Sequence, residues 1–386
     1  MSWKEKILGQ IAINIQTGPF GSQLHRSDYS ETGTPVVMPK DLIGGKISED
    51  SIARVAEDHV KRLSRHKIEI GDILYSRRGD VGRCAFASEH EKGWLCGTGC
   101  LKVTIDKNQA NPRFIFFQLQ KTETVGWVEN HAVGATMLNL NTSILSNVPI
   151  SVPKLEIQDK IVQVLSAYDD LIENNNKQIK LLEEASQRLY KEWFVDMRFP
   201  GYEDCKIMDG VPEGWRKGVL GDIATFKRGK TITKAQVQEG NIPVVAGGLE
   251  PAYYHNKANT VAPVITVSGS GANAGFTRLY NVDVFASDCS FVDSENTPFL
   301  FFVYCFIKNN KTSLDALQKG AAQPHVYAKD INALNLTIPN EEMLEVFCKT
   351  VSIYFEKIRI LQRQIELTIQ ARDRLLPKLM NGEIEV

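Results

Sequence analysis

The chain has 386 residues, a net charge of −1, 43% hydrophobic and 24% charged residues, an ordinary balance for two globular domains with proper cores. Its longest apolar run, Phe299 to Ile307, is too short for a bilayer span of about 20 residues, and the opening Met-Ser-Trp-Lys-Glu-Lys has no signal-peptide pattern. Seven scattered cysteines fit a reducing compartment better than a disulfide framework, so a cytoplasmic location is expected; Cys96 and Cys100 lack a second Cys/His pair to complete a zinc set.

In chain order, residues 1–153 form a first module. Trp3 to Ala12 opens it. Basic groups follow at Lys61-Arg62 and Arg65-His66-Lys67. A glycine-punctuated arginine loop, Ser76-Arg77-Arg78-Gly79-Asp80-Val81-Gly82-Arg83, comes just after the strand-like Ile73-Leu74-Tyr75. Gly134-Ala135 and the strand-like Val148 to Pro153 close the module. A long helix is predicted over 154–197. Its seam falls at Ile161, Leu165, Tyr168, Ile172, Asn175, Ile179, Leu182, Ser186, Leu189 and Trp193. The steps alternate four and three, a 3.5-residue period that marks a coiled coil.

Residues 198–339 hold a linker and a second module, and 340–386 a second helix. Trp215 to Ala224 repeats Trp3 to Ala12 at an offset of 212. Gly320-Ala321 and Leu334 to Pro339 repeat the first module's end at an offset of 186. The first module is therefore 26 residues longer. The second helix repeats the seam in phase at Phe347, Val351, Tyr354, Ile358, Leu361, Ile365, Thr368, Arg372, Leu375 and Leu379. Such a repeat fixes architecture more firmly than any single motif. The ends of the modules are alike and their middles differ, as expected of two related scaffolds with different reading surfaces.

Each apolar stripe needs cover, either from its own module or from the other helix. An antiparallel helix pair relating the halves by a pseudo-twofold axis satisfies both stripes. A buried Asn175 then sets register, or else sits as a solvated notch in Asn174-Asn175-Asn176. A helix of roughly 35 residues is about 50 Å long, comparable with one to two turns of B-DNA. Exposed faces at Leu181, Leu182 and Tyr190 would need a partner to cover them.

Charge divides unevenly. Residues 1–153 carry 18 basic and 16 acidic groups, and 198–339 carry 14 and 13, so the modules are basic and the helices acidic. Arginines in a loop can reach guanine edges and lysines can neutralise phosphates; each cluster taken singly also fits a solvated surface loop. The second module offers Lys227-Arg228-Gly229-Lys230-Thr231 and the polar loop Ser268 to Gly275. Enzyme signatures are missing. Gly229-Lys230-Thr231 has the tail of a phosphate loop, but Ala224 stands where its first glycine belongs. Asn111-Pro112-Arg113-Phe114 approaches an amino-methyltransferase segment but lacks the second proline. His131 and His325 read as structural.

Two strings carry a family resemblance. Lys191-Glu192-Trp193-Phe194-Val195-Asp196, followed by Phe199-Pro200-Gly201-Tyr202-Glu203 and Gly210-Val211-Pro212-Glu213-Gly214-Trp215, resembles the central conserved region of type I restriction–modification specificity subunits. Arg374-Leu375-Leu376-Pro377-Lys378-Leu379-Met380-Asn381-Gly382-Glu383-Ile384 is similar to their closing motif. Gly320-Ala321-Ala322-Gln323-Pro324 matches the family pattern at a module's end, whereas Gly134-Ala135-Thr136-Met137-Leu138 departs from it at Met137.

The resemblance implies an α+β fold: two repeated target recognition domains, 1–153 and within 198–339, separated by a long antiparallel two-helix coiled coil from 154–197 and 340–386. It implies a non-catalytic subunit that reads a bipartite, asymmetric double-stranded DNA target. The implied partners are two methyltransferase subunits and a restriction/translocase subunit, with no membrane. S-adenosylmethionine, ATP and Mg are expected on those partners and no cofactor on this chain. Expected DNA contacts in the first module are Thr17, Gly18, Phe20, Ser22, Lys40, Arg77, Arg78 and Arg83. In the second they are Lys227, Arg228, Lys230, Thr231, Ser268, Ser270, Asn273, Gln323 and His325. The alternatives are a specificity subunit of a motor-less methyltransferase system, a structural coiled-coil adaptor, and an enzyme with an unrecognised site.

Overall fold

The computed structural model describes residues 3–134, 137–208, 210–320 and 324–386. The chain divides into two compact units, Met1–Ile172 with Leu367–Val386, and Glu173–Glu366.

The first unit has two main sheets. One is antiparallel, in the order Ala12–Thr17, Cys100–Ile105, Ile73–Ser76, Cys84–Phe86. Its two central strands are mostly apolar and nearly all buried, the pattern of strands covered on both faces. The other runs Leu95–Cys96, Thr34–Val37, Ala53–Val55, Tyr29–Ser30, its first pair parallel. Lys4–Ile7 pairs with Pro149–Val152 and ties the start of the module to its end. Helix Pro112–Leu119 packs its phenylalanines into the core. The Asn111 side chain caps it by accepting from the Arg113 and Phe114 N–H groups, with proline in the first turn. The Asn-Pro pair is thus a helix start.

The second unit repeats this order. Its antiparallel sheet runs Lys227–Arg228, Cys289–Asp293, Val264–Ser268, Thr277–Tyr280. Its second sheet runs Tyr253–His255, Ile242–Val245, Phe285–Ala286, the last pair parallel. Register preserves the repeat pair by pair. Lys4 faces Val152 as Arg216 faces Ile338, which are the offsets of 212 and 186. Val36 faces Ala53 as Val244 faces Tyr253, and Ile73 faces Val103 as Ile265 faces Val292. The offset therefore falls from 212 through 208 and 200 to 192 along these strands. The drop from 208 to 200 coincides with the hairpin Leu42–Ile43/Lys46–Ile47, and that from 200 to 192 with helix Glu57–Arg62. Neither has a counterpart among the described residues of the second unit.

The long helices run Leu155–Tyr190 and Glu341–Met380. Each unit contains a part of each, antiparallel. In the first unit Ile161 and Leu165 share a core with Leu375, Leu376, Leu379 and Met380. Lys160 there meets the Val386 carbonyl (3.3 Å) and Asp169 meets Arg372 (2.8 Å), so the numbers run in opposite senses. In the second unit Ile179, Leu182 and Leu189 pack with Phe347, Val351, Tyr354, Ile358 and the module's Phe302. Phe194 meets Phe302 and Phe347 edge-on at 4.9 and 5.0 Å, contacts worth about 0.5–1.5 kcal/mol each. The helices therefore pack both on the modules and on each other. None of the seam positions is exposed: Tyr168 and Ile172 in the first unit and Leu361 and Ile365 in the second are buried or half-buried. Asn175 is 2% exposed and donates to Gln364 Oε1 at 3.5 Å, so it is a buried seam amide and no solvated notch. Tyr190 and Leu182 are covered by their own unit's core, contrary to expectation, whereas Leu181 is 64% exposed.

Among the described residues no helix is long and apolar enough to cross a membrane. Cys96 and Cys100 are free and buried in strands; burial pushes the Cys96 thiol up to about 12.

Candidate nucleic-acid interface

In the first module the arginine loop is the hairpin between strands Ile73–Ser76 and Cys84–Phe86. Three backbone bonds clamp its base. Arg77 N–H donates to the Gly99 carbonyl (2.8 Å), Gly79 N–H to Leu138 (3.1 Å), and Leu140 N–H to Arg77 (2.8 Å). The hairpin is thus held against the end of the module. Gly79 has φ +74°, a left-handed conformation suited to glycine.

The side chains diverge from that base. The Arg77 guanidinium lies 5.7 Å from the ring centroid of Phe20, which is 50% exposed, and Arg77 Nε is buried without a partner among the described residues. The structure thus brings together Arg77 and the loop of Gly18, Phe20 and Ser22. That loop is pinned by Gly18 N–H to Cys100 (2.9 Å) and by the Thr98 hydroxyl to Pro19 (2.9 Å). Thr17 is partly buried in its strand and Ser22 is exposed. Arg78 is exposed and forms no ion pair among the described residues. Arg83 donates to Asp80 through Nε (3.0 Å) and Nη2 (2.7 Å). Lys40 is also engaged, with Asp41 (2.8 Å) and the Ser51 carbonyl (2.7 Å).

The basic group that precedes the hairpin in the chain is partly structural. Arg62 donates to the Gln23 carbonyl (2.8 Å), and Arg65 Nε donates to His66 Nε2 (2.9 Å). Burial, then the Arg65 and Lys102 charges, push His66 down to about 4.

The second module repeats the clamp. Gly269 N–H donates to Asp288 (3.2 Å), Gly271 N–H to Pro324 (3.1 Å), and Val326 N–H to Gly269 (3.1 Å). Gly271, with φ +79°, takes the place of Gly79. Ser270 bridges to His325 as Arg78 bridges to Asn139, and Asp288 stands where Gly99 does. Ser268 is buried and its hydroxyl donates to the Gly247 carbonyl (3.1 Å). Ser270 donates to Asp288 Oδ2. Asn273 is partly buried and accepts from Phe276 N–H through its backbone. The His325 ring stacks on Tyr327 at 6.0 Å. Gln323 lies outside the described residues.

Lys227, Arg228, Lys230 and Thr231 are exposed, and the three cations form no ion pair among the described residues. Gly229 and Lys230 donate backbone N–H groups to Cys289 (2.8 Å) and Ala286 (2.9 Å), which brings this segment beside Asp288. Two further residues at this hairpin were not expected from sequence: Asp288, which accepts from Ser270, and Tyr327, on which His325 stacks. The signal for Asp288 was its alignment with Gly99, visible only once strand register is known. His131 stacks on Trp127 (3.8 Å) and bonds its carbonyl (2.8 Å), a local structural role.

Residues 2–184 and 212–371 match the family described as type I restriction modification DNA specificity domain. The chain is 28% identical over 393 residues to the type I restriction enzyme MjaIX specificity subunit of Methanocaldococcus jannaschii, covering 93% of this chain and 88% of that protein. It is 22% identical over 470 residues to the type I restriction enzyme HindI specificity subunit of Haemophilus influenzae, covering 99% of each. The crystal structure of a type I restriction–modification system S subunit from M. genitalium is similar with TM-score 0.60 and 19% identity, covering 98% of this chain and 96% of that one.

Proposed function

The chain belongs to the type I restriction modification DNA specificity domain family, and from that premise we propose that its two modules each read one half of a split, asymmetric DNA target. Specificity subunits are the non-catalytic DNA-recognition components of type I systems. In this reading residues 1–153 and 198–339 contain the recognition domains. The helices at 154–197 and 340–386 set the gap between half-sites and receive two methyltransferase subunits. A restriction/translocase subunit joins the assembly, and S-adenosylmethionine, ATP and Mg are used by the partners.

One observation carries the reading. The same clamped hairpin occurs in both modules but presents Arg77 and Arg78 in one and Ser270 over Asp288 in the other. A shared scaffold with exchanged side chains at its tip suits two readers of different half-sites. The flanking Lys227, Arg228 and Lys230 suit phosphate neutralisation.

The test is to co-express the chain with the methyltransferase subunit of its own system and map N6-methyladenine across the host genome. A split motif with unlike halves and a constant gap, absent without this chain, is expected. An uninterrupted motif, or methylation that persists without the chain, would overturn the proposal.

A further inference from the structure

Resting on that reading, we propose that Asp288 is a specificity-determining residue. Its carboxylate accepts from the exocyclic amino group of a base, cytosine N4 above all, in the half-site read by the second module.

Asp288 occupies the turn between strands Phe285–Ala286 and Cys289–Asp293. Three candidate segments converge there. Gly229 and Lys230 bond the backbone on either side of it, Gly269 bonds its carbonyl, and Ser270, bridged to His325, bonds its Oδ2. The residue is partly exposed, and its Oδ1 has no hydrogen-bond partner among the described residues. Nor does the carboxylate pair with Lys227, Arg228 or Lys230 on the neighbouring segment, all of them exposed.

A carboxylate on a DNA-facing surface meets repulsion from phosphates. It is favourable only opposite a donor, and the donors on base edges are amino groups. Ser270 reinforces this polarity. Its hydrogen is committed to Asp288, so its oxygen also serves as an acceptor.

The first module has the opposite arrangement. Gly99 stands where Asp288 does, and Arg78 stands where Ser270 does. One hairpin therefore offers donors, which suit the O6 and N7 acceptors of guanine; the other offers acceptors, which suit the amino group of cytosine. The duplication keeps the scaffold and inverts the hydrogen-bond polarity at its tip.

The experiment compares N6-methyladenine motifs written by the co-expressed methyltransferase complex with the wild-type chain, Asp288→Asn and Ser270→Ala. Asp288→Asn keeps the side chain's shape and adds donors. We expect the half-site of the first module and the gap to be unchanged. One position of the other half-site should relax or switch, with discrimination there falling at least about fivefold. Ser270→Ala should affect the same position more weakly. An unchanged motif with Asp288→Asn, an equal loss of methylation at all sequences, or a change confined to the first module's half-site would overturn the assignment. Absence of any split motif with the wild-type chain would instead overturn the two-reader premise, and the inference with it.

Discussion

Arg372 and Asp169 form an ion pair, with Nη1 to Oδ1 at 2.8 Å. The same carboxylate accepts from Arg113 Nη2 at 2.9 Å. The second long helix is thus tied through one acid to the first helix and to the first module. This explains how an arginine occupies a seam position that holds Ser186 in the other helix. Asp169→Ala should cost about 1–3 kcal/mol, since it leaves the partly buried Arg113 without its carboxylate and Arg372 with Asp373 as its remaining acceptor. Denaturant titration checks this; an unchanged midpoint would show that the two arginines find water at no cost.

Arg78 and Arg83 lie in one hairpin but differ in availability. Arg78→Ala should weaken cognate binding of the complex by about 1–3 kcal/mol. Arg83→Ala should do less, because Arg83 is already held by Asp80. Unchanged affinity and unchanged site preference for Arg78→Ala would sink its assignment as a base reader.

Lys227 and Lys230 are expected to act on phosphates. Replacing each with alanine should weaken binding alike on all sequences and make the salt dependence shallower by about 0.9 for each phosphate no longer neutralised. Lys40→Ala should leave the slope unaltered, because Lys40 is bound to the buried Asp41. A larger drop in slope from Lys40→Ala than from Lys230→Ala in a salt titration would reverse these roles.

His66 makes the first module sensitive to acid. It is held to about 4 in the folded chain, against about 6.5 in the unfolded chain. Above pH 6.5 both states are neutral and its contribution is fully present. Between about 6.5 and 4 the unfolded state takes up a proton that the folded state does not, so stability falls by about 2–3 kcal/mol. His66→Gln should flatten the dependence of Tm on pH across this window. Parallel curves for wild type and variant would refute the assignment.

What was legible from sequence was what repeats at short range or at a fixed offset. The seam from Ile161 to Leu379 follows from a local 3.5-residue period, and strand pairing reproduces the offsets of 212 and 186. The partners of individual side chains were not legible. Lys40 is matched by its neighbour Asp41 and by Ser51, eleven residues away. Ser268 ends a strand whose five residues are all buried, Val264 to Ser268, so its hydroxyl turns inward. Asp288 lies 18 residues from the serine it bonds, and no local pattern marks it. Such pairings are set by sheet register, which composition and spacing do not encode.

The division of the helices has a consequence for biosynthesis. The second unit is one uninterrupted stretch, Glu173–Glu366, whereas the first needs Leu367–Val386 to be complete. The half translated first is therefore the half finished last. Leu379 and Met380, both buried in the first unit's core, leave the ribosome only after the whole second unit has been made. Domains usually mature from the N-terminus onward during synthesis; here that order is reversed. A premature stop codon just after Glu366 would spare the late-made unit and cripple the early one.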